Sequence, residues 1–155
     1  MRAIGSILAV AVSAAGLAGA TYSVMDHEWK AVLAPVSGSN ITGEAEVEGK
    51  DKDKKAEAEI SIKGATAGAE HPWHVHQGKC GSNGAIVGAA TAYPVLKVKA
   101  DGSAKAEAHL DIAAPTTGEY YVNVHKSATD LKTIVSCGDL AHEDAKPKSA
   151  SSSGY

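Results

Sequence analysis

The segment His71-Pro72-Trp73-His74-Val75-His76 is the densest run of chemistry-bearing side chains in the sequence. On an extended strand, residues i and i+2 share a face. His74 and His76 therefore present two imidazoles side by side, and Val75 turns to the other face. His71, three positions before His74, points away from the pair and is expected to hydrogen-bond backbone nearby. A third imidazole, His125, ends the β-rich run Val122-Asn123-Val124-His125. If the two segments lie together, His74, His76 and His125 form a three-nitrogen site with an open position. Such a set suits copper, which tops the divalent series for nitrogen ligands, and it also accommodates zinc. Taken alone, the His-x-His pair is also what two surface histidines on an edge strand look like.

The other reactive side chains read as structural. His109 alternates with the apolar Ala108 and Leu110, which places it on a solvated face. His27 and His142 flank the domain. Trp29, Trp73 and Tyr93 are packing residues by type, although Tyr93 beside Pro94 is also placed to approach an open metal position. No Gly-x-Ser-x-Gly segment, phosphate-cradling loop or paired-carboxylate motif occurs, so Ser/His/Asp hydrolysis has no support. Lys+Arg is 15 against Asp+Glu 18, a net charge of −3. A polyanion binder is normally basic, so nucleic acid is not expected as a partner.

The elements that must position these histidines are strands. Ile41 to Glu48 alternates apolar and polar residues. Ala56, Ala58, Ile60 and Ile62 alternate with Glu57, Glu59, Ser61 and Lys63, across a charged turn at residues 49–55. Trp29 to Val36, Trp73 with Val75, Val95 to Val98, Ala104 to Leu110, Tyr120 to His125 and Lys132 to Ser136 complete about eight short segments. Asp101-Gly102 marks a tight turn. No helical period runs for long. The expectation is an all-β, antiparallel Greek-key sandwich or barrel, with one domain over residues 21–140. Abundant Ala, 16 Gly and no Phe point to thin, closely spaced layers.

Residues 1–20 read as a cleaved secretory signal. Arg2 gives the positive start, a short apolar run follows, and Ala18-Gly19-Ala20 fits the cleavage pattern. The expected product is secreted or periplasmic, with no stable membrane span after cleavage. Its only cations would be Lys, which removes Arg-based recognition of phosphate or carboxylate. In an oxidising compartment Cys80 and Cys137 can pair; two buried free thiols are the alternative. Residues 141–155, charged and then Ser-rich, read as a disordered tail.

Taken in order, these features resemble the copper/zinc superoxide dismutase family. His71-x-x-His74-Val75-His76 is similar to the family's H-G-F-H-V-H segment, whose last two His bind copper. Cys80 within Gly78-Lys79-Cys80-Gly81 resembles its first disulfide Cys, and Ser136-Cys137-Gly138 the second. Asp101-Gly102 resembles the family's turn before a strand, and His125 its last copper ligand. The resemblance implies a superoxide dismutase-like Greek-key barrel, one copper ion at His74, His76 and His125, a Cys80–Cys137 bridge, and superoxide as substrate. It departs at the bridging His and the zinc subloop, since no His falls between His76 and His109, so zinc of that type is not expected. Ile134 stands where the family has an Arg. Lys79 and Lys126 flank the proposed ligands as substitutes for the lost positive field. The small-residue segments His74-Val75-His76-Gln77-Gly78 and Tyr121-Val122-Asn123-Val124-His125 also look like the chordin-type CHRD domain. That likeness implies a β module without enzymatic activity, a metal-free interaction domain; a non-catalytic copper-binding or carrier protein with the same three histidines is the other alternative to a dismutase.

Overall fold

The computed structural model describes residues 27–50 and 55–143. The expected signal at 1–20, residues 51–54 of the charged turn, and the expected tail beyond Glu143 lie outside the described residues. Among the described residues nine strands form in chain order: β1 Glu28–Pro35, β2 Thr42–Lys50, β3 Lys55–Lys63, β4 Glu70–His71, β5 Trp73–Gln77, β6 Leu96–Lys97, β7 Ala104–Leu110, β8 Tyr120–Ser127 and β9 Asp130–Glu143. A single 3-10 turn, Ala90–Ala92, is the one helical element among the described residues.

Seven strands make one antiparallel sheet in the order β5-β8-β9-β1-β2-β3-β7, and β4 pairs with β6 in a small second sheet. The first and last strands lie side by side, with Trp29 opposite His142 and Ala34 opposite Cys137. The small sheet bridges the two edges, because β4 packs beside β8 and β6 beside β7. The large sheet thus curls on itself, the sandwich-like barrel that the alternation implied.

Alternation is the cause of this curl. On β3, Ala56, Ala58, Ile60 and Ile62 are buried, and the residues between them face outward. Its neighbour β7 does the same with Ala104, Ala108 and Leu110. Register sets Ala58 opposite Ala108 and Ala56 opposite Leu110, so small residues face one another across the layer. The core has two bulky centres, Trp29 and Trp73, both buried. Each indole N–H is satisfied by a loop carbonyl, Trp29 on Pro115 and Trp73 on Pro94, both at 2.8 Å. Without those acceptors a buried N–H would cost about 1–3 kcal/mol.

Two strands differ from expectation in extent. β9 runs through Glu143, three residues past the expected domain end at 140, because Lys30, Trp29 and Glu28 of β1 pair with Ala141, His142 and Glu143. Gly138 permits the close crossing there: a Cβ on it would lie 2.5 Å from the Val32 carbonyl oxygen. β4 is a two-residue element that no periodicity reveals. No helix among the described residues is long and apolar enough to cross a membrane.

Candidate metal centre

β5 and β8 pair antiparallel, with His74 opposite Asn123 and His76 opposite Tyr121. Residues opposite each other share a face, so His74, His76, Tyr121, Asn123 and His125 all turn to the side away from Trp73, Val75, Val122 and Val124, which fill the core. One ring nitrogen from each of His74, His76 and His125 lies within 4.8 Å of the other two, and all three residues are buried. The alternative of two solvent-facing histidines on an edge is thereby set aside: the loop after β5 folds back along that edge. Gln77 N–H bonds the Ala85 carbonyl and Val87 N–H the Val75 carbonyl, both at 2.9 Å.

The hydrogen bonds fix which nitrogens face inward. His76 Nδ1 donates to the Gly84 carbonyl at 2.9 Å, and His125 Nδ1 donates to the Leu131 carbonyl at 2.7 Å. Both rings are therefore held as tautomers with Nε2 unprotonated, that of His125 accepting from His74 Nδ1 and that of His76 without a partner. Such a carbonyl on the far nitrogen is the usual outer support of a ligating histidine. His74 turns its Nδ1 to His125 Nε2 at 3.1 Å. Ligands about 2.0–2.1 Å from a metal lie ~2.9 Å apart at a square-planar edge and ~3.4 Å apart at a tetrahedral one. The observed spacing falls between the two. His76 Nε2 is buried and has no hydrogen-bond partner. A buried polar atom of this kind is costly unless something else meets it, and a metal ion is a group that meets a lone pair.

Electrostatics agree with neutral ligands. Burial first, then the neighbouring His125 and His76, pushes His74 down to about 4 from the ordinary 6.5. Burial also lowers His125, against the raising effect of its bond to Leu131. A soft or borderline cation needs the unprotonated ring, and the fold supplies it.

The walls of the site are aromatic. Tyr121 stacks on His76 with ring centres 5.2 Å apart, and its hydroxyl donates to the Ser82 carbonyl. Tyr93 stands edge-on to both His74 and Trp73, and its hydroxyl donates to Val87 at 2.6 Å. Tyr93 thus packs against the His74 ring with its hydroxyl engaged by backbone. His71 donates from Nδ1 to the His125 carbonyl at 3.0 Å, so it braces β8 from behind. His109 is exposed on the outer face between Glu57 and Glu107. Lys79 pairs with Glu119 at 2.8 Å and Lys126 lies 3.8 Å from Asp130, so both expected positive neighbours are engaged by carboxylates.

Sequence reasoning could not name Gly84, Leu131 or Tyr121, which orient the His76 and His125 rings. Two of them act through backbone carbonyls, which leave no side-chain signature. Gly84 does carry a mark in retrospect. A Cβ there would lie 1.6 Å from the Gln77 carbonyl oxygen, so only glycine lets the loop reach His76. The Cys80–Cys137 disulfide is formed and ties this loop to β9. Cys80 N–H also bonds Asp139 at 2.7 Å.

The family model that matches the chain is the CHRD domain, over residues 10–131, more than half of the sequence. No curated protein matches it. The family match corrects the expectation of a copper/zinc superoxide dismutase-like chain. The features behind that expectation were a His-x-His strand, a His on a second strand, an Asp-Gly turn and two Cys in Gly-rich segments. Any antiparallel β domain that places two ligand strands together and staples them uses such parts, so they do not separate one family from another. The features that would separate them, a bridging His after Cys80 and an Arg three residues before Cys137, are missing from the sequence. The segments His74 to Gly78 and Tyr121 to His125, with their chordin-type look, both lie inside the matched span, and the chain belongs to the CHRD domain family.

Proposed function

We propose that this CHRD domain is a non-catalytic metal-binding or carrier protein that holds one copper ion at His74, His76 and His125, outside the cytoplasm in a secreted or periplasmic setting. The observation that carries the reading is the convergence of three buried ring nitrogens within 4.8 Å. The orphaned Nε2 of His76 and the two carbonyl-fixed tautomers support it. Copper is favoured among divalent ions because imidazole nitrogens bind it most strongly in the series. The three rings bind and orient the ion, Gly84 and Leu131 hold two of them in the binding tautomer, and Tyr93 and Tyr121 limit access of water. The disulfide supports the extracytoplasmic setting, since such bonds persist in oxidising compartments.

The test is equilibrium dialysis of chelator-stripped protein against buffered Cu²⁺. One tight equivalent is expected, and His76→Ala should bind it at least ~100-fold more weakly, the order of loss for a removed ligand or its support. Equal tight binding by wild type and variant would overturn the reading. The family match favours a second reading, a metal-free interaction domain built on the same sheet. A folded protein that takes up no copper at any accessible concentration would establish that one instead.

A further inference from the structure

A second imidazole pair lies at the other end of the sheet. His27 immediately precedes β1, and His142 sits near the end of β9. Their ring nitrogens, Nδ1 of His27 and Nε2 of His142, are 3.4 Å apart although 115 residues separate them in the chain. That distance equals the ~3.4 Å edge of a tetrahedron with ligands about 2.0–2.1 Å from its centre. Both residues are partly buried. His142 rests edge-on against Trp29 with ring centres 4.7 Å apart, and Trp29 is itself anchored to Pro115. The pair therefore stands on a fixed floor. Glu28 and Glu143, paired in register beside it, turn to the opposite face of the sheet, where Glu28 meets Lys30 and clusters with Glu46 and Glu48, so the remaining coordination positions fall to water.

We propose that His27 and His142 form a second site for a borderline divalent cation of the Zn²⁺, Ni²⁺ or Cu²⁺ class, with water completing the shell. Imidazole nitrogen is a donor that such ions accept. The site is independent of the three-histidine centre. His142 lies eight positions along β9 from Ile134, the register partner of His125, or ~26 Å at the rise of a strand. A bound ion would clamp the start of β1 to the end of β9. With two protein nitrogens in place of three, it should bind at least ~10-fold more weakly than the first site, in line with the cost of one lost ligand interaction.

The test is calorimetric titration of the full, chelator-stripped chain with Zn²⁺, a probe free of redox side reactions. Wild type should bind two equivalents of distinct affinity. His142→Ala should lose the weaker one and keep the tighter one, and His27→Ala, outside any strand, should do the same without disturbing β9. His76→Ala should lose the tighter one, and its weaker Zn²⁺ should shift the His27 and His142 imidazole NMR signals. If His142→Ala and His27→Ala bind like wild type, the proposal is wrong. It is also wrong if the weaker equivalent disappears in His109→Ala, which would place it among Glu57, Glu107 and His109 on the outer face. A wild-type chain that binds one equivalent, kept in His76→Ala and lost in His142→Ala, would retain this site while removing the three-histidine reading.

Discussion

Acid should loosen the metal-free fold through His74. Its ring is 9% exposed, and its pKa falls from 6.5 to about 4 on folding. Between those values the unfolded chain takes up a proton that the folded chain refuses. Stability therefore rises with pH across the window, is fully present above about pH 6.5, and is lost as pH falls toward about 4. At 1.36 kcal/mol per unit, a fully sealed ring would have lost ~2.5 kcal/mol by about pH 4.5. Solvent at the rim of the cluster screens the charge and reduces this to roughly 1–2 kcal/mol. His125 acts in the same direction. Glu46 opposes both: burial and the neighbouring Glu48 and Glu28 raise its carboxyl to about 7. Protonation of the folded state then adds stability as pH falls through that value. The clean measurement is the difference between wild type and His74→Asn, which keeps a polar atom near the Nδ1 position. Urea denaturation in chelator at about pH 7 and 4.5 would give both stabilities, with the slopes checked for equality. Wild type should lose roughly 1–2 kcal/mol more than the variant over this interval. Equal losses would refute the claim that the fold holds His74 neutral.

Two further outcomes follow from the same architecture. Replacing Cys80 and Cys137 together by Ser opens a loop whose ends are 57 residues apart; chain entropy alone puts the cost at ~4 kcal/mol, read as a lower urea midpoint. Gly84→Ala forces the loop away from Gln77 and releases His76, so copper affinity should fall ~10–100-fold while circular dichroism stays that of a β protein.

The strands were legible where burial and charge alternate cleanly. β3 and β7 show this best, because Glu, Lys and His at every outward position contrast with Ala, Ile and Leu inward. β9 was visible only over its first half, Lys132 to Ser136, since its inward positions farther on include Gly138 and the half-buried His142, whose types do not announce burial. The shared face of His74 and His76 follows from strand parity alone. Their meeting with His125 does not, because it depends on β5 pairing with β8 in one register across about fifty intervening residues. The family was misjudged for a related reason. A few ligand and cysteine positions reflect the geometry that any stapled β site requires, and the chordin-type segments carried the better signal.

In the proposed centre His74, His76 and His125 share one ion. Electron paramagnetic resonance of the chelator-stripped protein with a single equivalent of Cu²⁺ tests this most directly. The predicted spectrum shows superhyperfine coupling to three imidazole nitrogens, and it changes in His125→Asn to a pattern with fewer nitrogens. An identical spectrum in wild type and His125→Asn, or one with no imidazole coupling in either, would contradict it.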